Sequence, residues 1–341
     1  MSGIATAKGR ITSRIATRCI ARSCAATLAI LALLASPSAW AAEKIRFGLN
    51  WLPEGEHCGF FQAKAAGLYE KAGLEVELKG GGPDVNVPLL VSSGELDLGM
   101  GSSFTTLNMV DQGIPGVMVA SYFQKDPQTL VAHPDQGISK LADMKGRPVM
   151  VAKFSQQEFW QFLKQKFGFS DDQLRPYAYS AAPFLADDTA IQQGYVTEDA
   201  FLLGTQMKKP PVVLLLADEG YQNYATAVFG LKPFLDKKPE AVRAFVEATR
   251  AGFEACMAGD YAAGMKLMLA MNPDHGEPLF HFKLKEMKDR GLVDGGDAKT
   301  LGIGAMTDAR WKEFFDTMSA AGVYNAKLDY KAAYTLKFLG K

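Results

Sequence analysis

KIRFGLNWLPEGEHCGFFQAKAAGLYEKAGLEVEL, running from Lys44 to Leu78, decides the fold of this 341-residue chain. Ile45, Phe47 and Leu49 read as a short buried strand. A loop of Trp, Pro, Gly, His and Cys follows, then an amphipathic helix and a second strand through Leu74, Val76 and Leu78. A loop that leaves the carboxyl end of a parallel strand and enters a helix is where open α/β sheets hold ligands. This one carries an aromatic ring and an imidazole but no Arg or Lys. Its chemistry therefore points to a flat, polar, roughly neutral ligand.

The residues before this stretch predict export. Lys8, Arg10, Arg14, Arg18 and Arg22 form a basic segment with no acid before Glu43, Cys24 to Leu34 is a short apolar run, and Ala39-Trp40-Ala41 suits a signal peptidase. Residues 1–41 are expected to be a signal peptide cleaved near Ala41, which places the mature protein in the periplasm. The apolar run is short for a membrane-spanning helix. Five of the 37 Lys and Arg residues leave with it, so 32 face 37 Asp and Glu, a net charge of about −5. That balance, without a basic cluster, argues against nucleic acid as a partner. Cys58 and Cys256 remain; an oxidising compartment permits pairing, but Cys256 reads as a small buried hydrophobe within a helix.

Alternating strand and helix patterns continue through two series, which predicts an α/β protein with mainly parallel sheets flanked by helices. Strands are expected at 96–100, 117–122, 129–132, 148–152, 176–179, 194–201 and 212–217. Helices are expected at 85–92, 104–112, 155–167 and 183–188. Beyond Pro239 the pattern turns helical over 239–258, 261–271 and 308–321, and this tail should pack on the first lobe. Crossings between lobes are expected near Gln124–Gln128 and Tyr221–Ala227. Lobe 1 then comprises 42–125 plus 226–341, and lobe 2 comprises 126–225, with a ligand cleft between them.

Asn50-Trp51-Leu52-Pro53 through His57, Gly67-Leu68-Tyr69, Gly73-Leu74-Glu75-Val76, Gly94-Glu95-Leu96-Asp97-Leu98-Gly99, and Gly137-Ile138 with Leu141 to Gly146 carry a resemblance. The chain resembles the solute-binding proteins of bacterial ABC importers, in the group that includes nitrate, sulfonate, taurine and thiamine-precursor binders. That resemblance implies a type II periplasmic-binding-protein fold, a small-molecule ligand, a monomer, and a permease partner at the inner membrane. The Trp-x-Pro-x-x-x-His loop is similar to the thiamine-precursor branch, where an aromatic pocket takes an aminopyrimidine. Glu54 departs from that branch, which has Asn there. Thr197-Glu198-Asp199 stands where relatives often read Ser-Glu-Pro.

Candidate ligand-binding residues follow from the loops. Trp51 could stack on a planar ring, a contact worth roughly 0.5–1.5 kcal/mol beyond area, or pack in the core. His57 could bond a ring nitrogen or lie exposed without a role. Ser102 and Ser103 follow a strand-ending Gly and could meet a polar ligand edge or cap a helix. Phe154 and Ser155 could form the opposite wall, with one of Phe159 and Trp160 in the core. Tyr195 and Glu198 come from the second series, and the Glu198 carboxylate could accept from an exocyclic amine. No cofactor or metal is expected, because His57-Cys58 lacks ligand spacing. The alternatives are a binder of a small anion such as a sulfonate, taurine or nitrate, and a pyrimidine-synthase-like enzyme of thiamine biosynthesis. The fungal synthase resembles the same fold, with a His in the matching loop and a Cys-rich iron-associated motif. Here Cys58 has no neighbouring Cys, and no catalytic constellation stands out.

Overall fold

A computed structural model describes Gly3 and residues 42–340; the expected signal segment and its cleavage near Ala41 lie outside the described residues. Ten strands are present: β1 Glu43–Gly48, β2 Leu74–Lys79, β3 Leu98–Gly101, β4 Gly116–Phe123, β5 Gln128–Ala132, β6 Val149–Val151, β7 Leu174–Pro176, β8 Ile191–Tyr195, β9 Val212–Leu215 and β10 Ala225–Leu231. They form two five-stranded sheets, ordered β2-β1-β3-β10-β4 and β7-β6-β8-β5-β9.

The two sheets share one plan. In each, three strands pair in parallel, β1 with β2 and β3 in the first, β6 with β7 and β8 in the second. The fourth position holds a strand that has just crossed over from the other sheet, β10 or β5, antiparallel to both neighbours. The chain leaves the first sheet after Phe123 and rejoins it at Ala225. Sequence periodicity places the other strands of the first sheet, but β10 falls partly in a stretch read as a linker. The expected strand over 194–201 is also corrected: β8 ends at Tyr195 and a helix spans Asp199–Gly204. The cause is Asp199, whose Oδ2 accepts the Tyr195 N–H at 2.7 Å and whose Oδ1 accepts from Gln192 at 3.2 Å. Those bonds turn the chain back before the strand can continue.

Apolar alternation seats β1 in the first core through Ile45 and Phe47, both fully buried. Arg46, on the opposite face, makes a two-point ion pair with Asp97 at 2.8 and 2.9 Å, joining β1 to the entry of β3. The Cys58–Ala65 helix then packs against the 20-residue Pro239–Ala258 helix. Their approach is close enough that a Cβ on Gly59 would collide with the Phe253 ring, and one on Gly252 with the Gly59 carbonyl. At this crossing Cys58 and Cys256 form a disulfide with their Cα atoms 6.3 Å apart. The reading of Cys256 as an unpaired hydrophobe is thereby corrected. Helix packing across 198 residues of sequence, invisible in the spacing, brings the two sulfurs together.

The tail divides between the lobes. The Pro239–Ala258 and Ala262–Met271 helices cover the first sheet, as expected, whereas the Asp308–Ala320 helix enters a core shared by both sheets. Its Phe314 ring lies 5.0 Å from Phe104 of the first lobe and 6.1 Å from Tyr221, which in turn lies 5.2 Å from Phe162 of the second. Phe159 and Trp160 are both buried in that core, not one of them. From the same helix Arg310 donates to the carbonyls of Gln222 at 3.1 Å, of Asn223 at 3.3 Å and of Gln124, so one guanidinium holds both crossings. Asn223 also donates to Asp126 Oδ2 at 2.6 Å, tying the crossings side chain to side chain.

The disulfide closes a long loop of the unfolded chain, so Cys256→Ala should lower the unfolding free energy by about 2–4 kcal/mol. Denaturant titration checks this: reductant should lower the midpoint of the unsubstituted protein and leave that of the variant unchanged.

Candidate functional site

Between the sheets lies a buried ionic cluster assembled from three parts of the chain. The loop after β1 ends in a single helical turn, Gly55–His57, that buries Glu54, Glu56 and His57. Over it lies the Glu277–Asp289 helix, whose Phe280, Leu284 and Met287 are buried and whose Lys283 is 0 % exposed. Lys283 Nζ sits 2.7 Å from Glu54 Oε2, 2.9 Å from Glu56 Oε2 and 2.6 Å from Glu198 Oε2. Glu198 belongs to the other lobe, just beyond β8. Its neighbour Thr197 donates its hydroxyl to Glu56 Oε1, a second bond across the cleft. The turn is also held from the tail. Asn272 donates to the Pro53 carbonyl at 2.8 Å, and the Gly55 N–H donates to His275 Nε2 at 3.3 Å.

Burial alone would lower the Lys283 ammonium, but the carboxylates of Glu54, Glu56 and Glu198 outweigh it and hold it well above its ordinary value. Glu54 goes the other way from an ordinary acid: burial, then the Glu56 charge, raises it well above 4.5. Burial would raise Glu56 too, yet Lys283 and the hydrogen bonds from Glu54 and Thr197 bring it below its usual range. The consistent assignment puts the proton on Glu54 and leaves Glu56 ionised beside Lys283. Asp199 is pushed up to about 6, by burial first and then by Glu198. His57 is 1 % exposed, its Nδ1 has no hydrogen-bond partner, and burial lowers it to about 3, so it is neutral.

Other candidates divide by position. Trp51 is half-buried, its ring 5.6 Å from Tyr179 of the second lobe, and Tyr179 lies 5.5 Å from Tyr177. Tyr195 ends β8 and is 41 % exposed. Its carbonyl accepts the N–H of Glu198, a member of the ionic cluster, at 3.0 Å. Ser102 precedes the Ser103–Asp111 helix, and its N–H donates to Thr105 Oγ1 at 3.0 Å. Ser103 is fully buried and exchanges bonds with Tyr224: its Oγ accepts the Tyr224 N–H and its own N–H donates to the Tyr224 carbonyl, each at 3.0 Å. It therefore anchors the returning crossing. Ser155 is buried, whereas Phe154 is 66 % exposed.

Sequence reasoning missed Lys283, Tyr177 and Tyr179. Lys283 overturns the premise that the first loop meets no cation, since it arrives from 227 residues beyond Glu56. A signal existed: Phe280, Leu284 and Met287 recur at four and three, the spacing of a buried helical face on which Lys283 also falls.

Residues 54–263 match the family model described as NMT1/THI5 like. The chain belongs to the NMT1/THI5-like family. A Haemophilus influenzae protein named for thiamine biosynthesis is 28% identical over 120 residues, 35% of this chain and 38% of that protein. The 4-amino-5-hydroxymethyl-2-methylpyrimidine phosphate synthase of Schizosaccharomyces pombe is 30% identical over 128 residues, 37% of each chain. The alignments thus span little more than a third of either relative. A riboflavin-binding protein of Chloroflexus aurantiacus is 21% identical over 316 residues, covering 87% of this chain and 86% of that one. The periplasmic aliphatic sulphonate binding protein of Escherichia coli superposes with a TM-score of 0.62 at 15% identity, over 85% of this chain and 91% of that structure. That likeness shows the periplasmic-binding-protein fold.

Two outcomes follow from the cluster. Lys283→Met leaves buried carboxylates without their counter-charge and should cost about 3–5 kcal/mol of stability near neutral pH, read by urea titration. Acid should also destabilise the protein through His57. Its pKa falls from 6.5 in the unfolded chain to about 3 when folded, so its contribution is complete above 6.5 and is lost as pH drops toward 3. Glu56 adds loss in the same direction below its ordinary 4.5. His57→Leu should flatten the fall between pH 6.5 and 4.5 in urea unfolding series; equal slopes would place its origin elsewhere.

Proposed function

We propose that this protein is the extracytoplasmic solute-binding component of an ABC importer. It captures a small planar polar ligand, such as a thiamine pyrimidine precursor, between its lobes and delivers it to a membrane permease. The lobes correspond to residues 42–125 with 226–341, and 126–225. The observation that carries this reading is the pairing of Trp51 with Tyr179, 5.6 Å apart, together with the Lys283 cluster that joins Glu198 to the first loop, whose buried, neutral His57 has an unpartnered Nδ1. Ring faces offer stacking, and the carboxylate and imidazole offer the directional contacts that a heteroaromatic amine needs. Trp51, His57, Tyr195 and Glu198 are the proposed contacts, with Ser102, Phe154 and Ser155 as further candidates, whereas the fully buried Ser103 is committed to Tyr224. The pyrimidine in the name of the Schizosaccharomyces pombe synthase supports the same ligand class. The basic N-terminal segment with its apolar run supports export. Among the described residues no helix is long and apolar enough to cross a membrane.

Thermal melting with the hydroxymethyl aminopyrimidine at about 100 times its dissociation constant should stabilise the purified protein by about 2.7 kcal/mol. Trp51→Ala should weaken that ligand about tenfold, or about 1.4 kcal/mol. A shift with alkanesulfonates or nitrate and none with aminopyrimidines would replace this reading with the anion one. Conversion of the ligand, read by mass spectrometry, would replace it with the synthase one.

A further inference from the structure

The balance of charge in the cleft carries the ligand question further than the first loop does. Lys283 is already paired with three carboxylates at 2.6–2.9 Å, so its charge is engaged within the protein. Even with the proton on Glu54, Glu56 and Glu198 exceed it by one negative charge. Asp199 adds another carboxylate one residue beyond Glu198.

Aromatic rings stand beside this excess. Trp51, Tyr179 and Tyr177 form a run with centroids 5.6 and 5.5 Å apart, and Tyr179 remains 57 % exposed. The Tyr177 phenol is pushed up by burial and then by Asp199 and Glu198, which sets those carboxylates against the end of the run. The Tyr195 phenol is raised by burial and then by Asp126, Glu56 and further acids, although its ring is 41 % exposed. Tyr195 is tied to Glu198 directly, its carbonyl accepting the Glu198 N–H at 3.0 Å. Beside Glu56 in the first loop, the buried His57 leaves Nδ1 without a partner.

Ring faces carry negative potential and attract cations, most strongly where water is excluded. An anion placed here would meet ring faces, surplus carboxylates and a lysine already engaged. A neutral ring would leave the surplus charge uncompensated as the lobes close over it. A cation meets favourable terms from both the rings and the acids.

We propose that the ligand of this cleft is an organic cation, a planar nitrogen base bound with its ring nitrogen protonated or quaternised, stacked on Trp51 and Tyr179 with its charge against Glu198. This rests on the solute-binding reading and specifies the charge class of its ligand.

Calorimetry at pH 8 with four probes tests it: an aminopyrimidine, its ring-N-methylated cation, tetramethylammonium and methanesulfonate. The methylated cation should bind at least tenfold tighter than its neutral parent, and added salt should weaken it. Glu198→Gln should weaken the methylated cation far more than the neutral parent and so erase most of that preference. Tetramethylammonium guards against a clash of the added methyl, because it should displace the parent even if the methylated ring does not fit. A parent that binds at least as tightly as its methylated form and is not displaced by tetramethylammonium overturns the charge inference and leaves the solute-binding reading standing. Binding of methanesulfonate alone overturns the charge inference and the pyrimidine ligand together, and replaces them with the anion reading.

Discussion

Around the Nζ of Lys283 meet Glu54 and Glu56 from the first loop, Glu198 from the second sheet, and the helix that bears the lysine itself. An ammonium taken wholly out of water is costly unless its partners are close and well directed, and the same holds for each carboxylate. The position of every participating segment is therefore constrained by the others. The turn at 54–57 stays where Lys283 can reach it, the helix at 277–289 presses on that turn, and Glu198 joins when the lobes approach. The cluster therefore joins the two sheets through Glu198 in this structure.

Around that centre, other contacts limit how the lobes can move. Arg310 grips the backbone of both crossings, and Asp126 with Asn223 joins them again. The Asp308–Ala320 helix that supplies Arg310 sits in the core shared by both sheets. The two crossings thus form a short, braced region, while Thr197 and Glu198 bond the first loop and Lys283 from the second sheet's side. On the far side of the first sheet, the disulfide and the Gly59–Gly252 approach make the first loop's helix rigid with the tail. The loop that carries Trp51 and His57 gains a fixed position from such backing.

Much of this architecture was legible in the residues. The alternation in Ile45, Phe47 and Leu49, the glycine-marked turns and the apolar spacing of residues 239–258 each encode a local element. The fold class and the loop carrying Trp51 and His57 follow from them. β10 was not legible, because Ala225 to Leu231 is a strand by virtue of the slot between β3 and β4. The end of β8 depended on a side chain, Asp199, returning to the Tyr195 N–H. The helix holding Lys283 was encoded in the spacing of Phe280, Leu284 and Met287, but its partner was not.

What the sequence by itself determined is the succession of strands and helices and the aromatic and imidazole groups of the first loop. These depend on near neighbours, and near neighbours are what a linear pattern records. The tertiary structure alone decided that Cys58 meets Cys256, that Arg310 braces both crossings, and that Glu54 and Glu56 of the first loop meet Lys283 and Glu198. Those pairings span up to 229 residues and arise only when helices pack on sheets, because charge and burial act through space. The electrostatic character of the cleft is therefore a property of the fold, and it reverses what the first loop alone suggested: a site that looked neutral is acidic.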